Sequence, residues 1–132
     1  MIEAQCFCGA VRFTIDGPVR DVIVCHCSIC RRLHGGPANY SACAASDLDI
    51  VAGDDLRWHE VNGAEYGFCG VCGGRLFWRR APVHNVSFNA ACLPTPTGIT
   101  TTHHIWVDSA GDYEDMSTSL PQDPEGTPVA GS

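Results

Sequence analysis

Nine cysteines stand in 132 residues, and seven of them fall into three tight groups. Cys6 and Cys8 lie in "CFCG", Cys25, Cys27 and Cys30 in "CHCSIC", and Cys69 and Cys72 in "FCGVCGG". Strain opposes disulfides between such near neighbours. Clustered thiols outside a secretory context point instead to metal binding or redox work. The opening stretch MIEAQCFCGAVRFT has neither a basic n-region nor an apolar h-region, so no signal peptide is expected. No apolar run reaches the roughly 18 residues of a membrane span. A cytoplasmic location is therefore expected.

The spacing within each group suggests its role. In an extended segment residues i and i+2 point the same way, so Cys6 and Cys8 are expected to face one ion. Cys69 and Cys72 form a CxxC knuckle, whose glycines let backbone N–H groups approach the sulfurs. Together these pairs supply four thiolates, the ligand set of a closed tetrahedral zinc site. Such an ion would clip the start of the chain to its middle, contributing about 10–16 kcal/mol of apparent binding energy. The CHCSIC group holds three thiols, one short of a closed site. Cys43, Cys92, His26 and His34 are candidates for the fourth position. If none of them binds, that position belongs to water or a substrate thiol.

Between these groups the chain reads as short strands with turn signals. "AVRFTI" at 10–15 alternates with period two, and "DVIVC" at 21–25 leads into the thiol cluster. "SICRRLHGG" at 28–36 suits one or two helical turns ended by glycine. Asn62-Gly63 between "LRWHEV" and "AEYGFC" signals a two-residue hairpin. Some seven or eight strands follow, with little helix. Residues 1–116 are expected to form one domain. Residues 117–132, STSLPQDPEGTPVAGS, are expected to form an extended or disordered tail.

Charge narrows the partners. Fifteen acidic residues oppose eight arginines with no lysine, a formal charge of −7. Nucleic-acid binding normally needs a basic face, so it is not expected. Arg79-Arg80 reads as a solvated surface pair. Arg31-Arg32 adjoins the three-thiol cluster. Zinc held by three thiolates carries a charge near −1, and a fourth thiolate would make it −2. Arg31 and Arg32 are placed to offset that charge or to grip a substrate carboxylate. His34, about one helical turn beyond Cys30, could move a proton.

CFCGAVRF, CHCSICRRLHG and FCGVCGGRLF, in this order, resemble the glutathione-dependent formaldehyde-activating enzyme family, and the likeness extends into "HHIWV" and "LPQDPEG". The resemblance implies a mainly β, Mss4-like β-tent fold of short antiparallel sheets pinned by zinc. It implies two zinc ions per chain, one structural on Cys6, Cys8, Cys69 and Cys72, one catalytic on Cys25, Cys27 and Cys30. It further implies a carbon–sulfur lyase that combines glutathione or a similar thiol with formaldehyde to give S-hydroxymethylglutathione. Two other readings stand beside it. One is a non-enzymatic, zinc-stabilised protein-interaction module on the same fold. The other is a redox or metal-transfer protein exploiting exposed thiols.

Overall fold

A computed structural model describes residues 1–126. The chain is mainly β, with ten strands, one short helix and three single turns of 3-10 helix. The helix is α1 (Ser28–His34), and the strands are β1 (Ile2–Gln5), β2 (Arg12–Ile15), β3 (Val22–Cys25), β4 (Ala38–Ala44), β5 (Leu48–Ala52), β6 (Leu56–Val61), β7 (Ala64–Cys69), β8 (Arg75–Arg80), β9 (Asn85–Asn89) and β10 (Thr101–Ile105). A three-stranded sheet has the order β1-β2-β5, and a seven-stranded sheet has the order β10-β3-β4-β9-β8-β7-β6.

Local chemistry explains most of the turns. Asn62 (φ 51°) and Gly63 (φ 83°) both take positive φ, as the tight turn joining β6 to β7 requires. Gly35 closes α1 in the left-handed conformation at φ 74°. The strand pairs are antiparallel with one exception. β10 runs parallel to β3, with His104 opposite Val24 and Ile105 opposite Cys25. The long connection after β9 carries the chain back to the same end of the sheet, as parallel pairing demands.

The core lies between the sheets. Phe13 of β2 meets Phe77 edge-on with centroids 4.8 Å apart and Phe88 at 6.1 Å. Each fully buried ring is worth about 1.5–3 kcal/mol. Val11, Ile15 and Leu76 complete the centre, and the buried Cys6 and Cys69 belong to the same cluster. The cysteine pairs and the apolar packing therefore share one boundary.

The segment after β10 stays against the sheet. His104 donates its N–H to Pro121 O at 2.9 Å and accepts from Asp123 N at 2.9 Å, while Trp106 N donates to Glu125 O at 3.2 Å. Residues 121–125 thus run beside β10, and the rest of the expected tail, 127–132, lies outside the described residues.

Candidate metal centres and thiol cavity

The sulfurs of Cys6, Cys8, Cys69 and Cys72 all lie within 4.8 Å of one another. Cys6 and Cys8 are 3.7 Å apart, and Cys8 and Cys69 are 3.8 Å apart. A tetrahedral ion with metal–sulfur bonds of about 2.3 Å separates its sulfurs by about 3.8 Å. The donor set therefore fits zinc. Each sulfur also accepts a backbone N–H: Val11 to Cys6, Ala10 to Cys8, Val71 to Cys69 and Gly74 to Cys72, at 3.4–3.5 Å. Those dipoles stabilise negative sulfur. One expectation is corrected here. Cys6 and Cys8 converge on a turn beyond β1, closed by Gly9 N–H donating to Cys6 O at 3.3 Å, not on an extended strand.

Cys25, Cys27 and Cys30 form the second group, again with sulfurs within 4.8 Å. Cys25 ends β3, Cys27 caps α1 by accepting from Cys30 N at 3.2 Å, and Cys30 sits in the helix's first turn. The break from strand to helix folds three sulfurs inward. Hydrogen bonds from Cys25 and then Cys30 hold the Cys27 thiol far below its ordinary value. Cys25 is pushed up to about 11, first by its bond to Cys27, and Cys30 is pushed up by its bonds to Cys25 and Cys27. Cys27 is thus the most readily ionised of the three, and convergent sulfurs are ligands suited to a soft cation.

No fourth protein ligand joins this group among the described residues. Cys43 is buried with its thiol pushed up to about 11 by burial, and Cys92 lies beside Arg75 O at 3.9 Å. His26 points away from its cysteine neighbours. Its Nδ1 bonds Glu114 Oε1 at 3.0 Å and its Nε2 bonds His104 Nδ1 at 2.8 Å. The three sulfurs open instead on a cavity of about 470 Å³, within the size range of small-molecule sites.

His34 and Tyr40 stand on the cavity wall. His34 Nδ1 lies 3.0 Å from Cys30 O, a pure acceptor, so Nδ1 carries the proton. Nε2 then accepts from the Tyr40 hydroxyl at 2.8 Å. Burial lowers the His34 pKa and raises that of Tyr40, so the imidazole is neutral and the phenol protonated.

The sequence profile of the glutathione-dependent formaldehyde-activating enzyme family matches residues 1–109. The chain belongs to this family. A protein of Halomonas elongata that provisionally carries the enzyme's name is 33% identical over 87 residues, covering 58% of this chain. The match spans 55% of that relative, about half its length. A crystal structure of a Rhodobacter sphaeroides protein superposes with a TM-score of 0.60 at 28% identity, covering 76% of this chain and 99% of that one.

Around the three-sulfur cavity the expected polar residues divide. His34 lines the cavity, whereas Arg31 and Arg32 do not. Arg20 and Arg80 line it instead, together with Tyr40, Tyr66, Trp78 and Trp106. Arg79 is half-buried and held outside the cavity, with Nε 3.1 Å from Glu65 Oε1 and its guanidinium over Trp58 at 3.7 Å, while Arg80 is the exposed member of the pair. Strand alternation links Arg80 and Trp78, two positions apart on β8, but which face they share with Cys25 depends on register across four strands. Trp106 follows β10 in a left-handed conformation, φ 57°, and lines the cavity.

Proposed function

We propose that the chain is a two-zinc carbon–sulfur lyase that joins a small thiol, glutathione or a relative, to formaldehyde and reverses that addition. The reading rests on one observation: three convergent sulfurs without a fourth protein ligand, open to a cavity. Family membership and the fit of both sulfur sets to zinc support it. Cys6, Cys8, Cys69 and Cys72 would hold the structural ion, and Cys25, Cys27 and Cys30 the catalytic one. Bound there, zinc would supply a fourth coordination position and lower the pKa of a thiol occupying it.

The chain's own residues manage the proton. Addition of RS–H to H₂C=O gives RS–CH₂–OH, so the proton leaving sulfur equals the one the new hydroxyl needs. Tyr40 lines the cavity and donates a hydrogen bond from its hydroxyl to His34 Nε2, which leaves its oxygen lone pairs free to accept a proton. Tyr40 Oη takes the thiol proton while its own passes to Nε2, and the return path delivers it to the product oxygen. Cys30 O holds Nδ1–H throughout and so fixes the ring. A reducing compartment, the cytoplasm, suits nine free thiols.

The test is a visible-absorption titration of the cobalt-substituted chain with glutathione. A saturable band change assigned to a new sulfur on one ion is expected. Two ions already surrounded by four sulfurs, unchanged by glutathione, would overturn the reading and favour a protein-interaction module.

A further inference from the structure

We propose that Arg20 forms an anion subsite in the thiol cavity that selects thiols bearing a carboxylate. This rests on the cavity's being where a substrate thiol enters. Arg20 lies between β2 and β3 with its main chain fastened to β4. Its N–H donates to Ala42 O at 2.9 Å, and its carbonyl accepts from the hydroxyl of the fully buried Ser41. A fixed backbone thus places its side chain on the wall shared with Cys25, Cys27 and Cys30.

The guanidinium is the unusual feature. Its Nε and Nη1 are buried and have no hydrogen-bond partner among the described residues. Arg20 as a whole is half-buried, and two shielded N–H groups without an acceptor are unfavourable until a polar or anionic group meets them. Burial lowers the Arg20 pKa, the same penalty expressed as a proton equilibrium. Among the described residues no aspartate or glutamate lines this cavity, although acidic residues outnumber arginines fifteen to eight in the chain. Arg80 adds a second cation at the exposed rim, where its Nη1 donates to Asn62 O at 3.1 Å. Two cations thus stand on a cavity wall shared with a cysteine cluster that carries the negative charge. A carboxylate supplies what Arg20 lacks, an acceptor for charge-assisted hydrogen bonds. Cys25, Cys27 and Cys30 would then hold the sulfur end of the ligand, and Arg20 the carboxylate end.

The probe is S-methylglutathione, which keeps both carboxylates but has no ionisable thiol. Its binding to the zinc-loaded full chain is measured by calorimetry in wild type, Arg20→Gln and Arg20→Lys, alongside its diethyl ester. Arg20→Gln is expected to weaken S-methylglutathione binding about 10–100-fold, with Arg20→Lys intermediate. The ester should bind weakly and equally to all three. Arg20→Gln should unfold no earlier than wild type, because it removes shielded N–H groups that lack an acceptor, and this separates ligand binding from a structural role. Equal affinity of wild type and Arg20→Gln, or no detectable binding of S-methylglutathione, would overturn the subsite. Failure of glutathione to alter the cobalt spectrum would instead overturn the thiol-entry reading on which the subsite depends.

Discussion

The hydroxyl of Tyr40 donates to Nε2 of His34 across 2.8 Å, and the opposite nitrogen of that ring is tied to Cys30 O. The cavity wall is therefore coupled to the backbone of a cluster cysteine. Tyr40→Phe removes the donor and the proton path together. Turnover of thiol and formaldehyde should fall about 10²-fold or more, while glutathione still changes the cobalt spectrum. The buried Nε2 left without a partner should cost about 1–3 kcal/mol in denaturant unfolding. Unchanged turnover would exclude the relay.

Cys27→Ser should leave a folded chain with one bound metal and no activity. Serine is a favoured helix cap, so its oxygen can replace sulfur in accepting from Cys30 N. Two sulfurs then remain, too few for a zinc site of ordinary ligand count. Metal analysis with circular dichroism decides: two retained ions, or loss of the fold, would contradict the division of labour.

Cys69→Ser should behave in the opposite way. Cys69 is fully buried, packed in the core and part of the four-sulfur group. Structural zinc contributes about 10–16 kcal/mol, comparable with the whole stability of a domain, about 5–15 kcal/mol. We expect no cooperative unfolding transition and aggregation on purification. A soluble, active Cys69→Ser chain would refute the structural role.

Chelation should remove the ions in two phases. An ion held by the three-sulfur group would face the cavity, so a chelator should take it first, with activity lost and strand content kept. Loss of the second ion should coincide with unfolding. Simultaneous loss of both, followed by released metal and ellipticity together, would argue against separate roles.

Stability should fall as pH drops through the usual histidine range. Burial lowers the pKa values of His34 and His104, the latter also disfavoured by neighbouring His26. As pH passes below about 6.5 the unfolded chain takes protons that the folded chain refuses. The unfolded state then binds more protons, and stability declines. Urea midpoints of the metal-saturated chain should decrease from pH 7.5 to 5.5. His104→Asn keeps a donor for His26 but removes the titration, so its decline should be shallower; equal slopes would exclude His104.

What the sequence revealed was what contiguity controls. The three cysteine groups, the helical turns after Cys27 and the Asn62-Gly63 hairpin each depend on a few adjacent residues, and the pairing of Cys6 and Cys8 with Cys69 and Cys72 followed from the ligand count. Arg20, Tyr40 and Arg80 were hidden because their meeting place depends on strand register. Tyr40 reaches the cluster because it pairs with Ile23, two residues before Cys25. Arg80 reaches the cavity through β8, β9 and β4. Parallel pairing of β10 was equally invisible, since a strand's own residues do not state its direction. Arg31 and Arg32, adjacent to Cys30 in sequence, are carried past the cavity by helical rotation.

The separation of the two thiol sets also shapes how a newly made chain meets its metal. Cys25, Cys27 and Cys30 form a complete local chelate once the ribosome has released them. Cys6 and Cys8 must wait for Cys69 and Cys72, which follow by several seconds at about 5–20 residues per second. During that interval five thiols compete for one early ion, and loop closure favours the nearest of them. Correct loading is therefore a sorting problem with a kinetic deadline. The closed four-sulfur centre resolves it only when its distant half emerges.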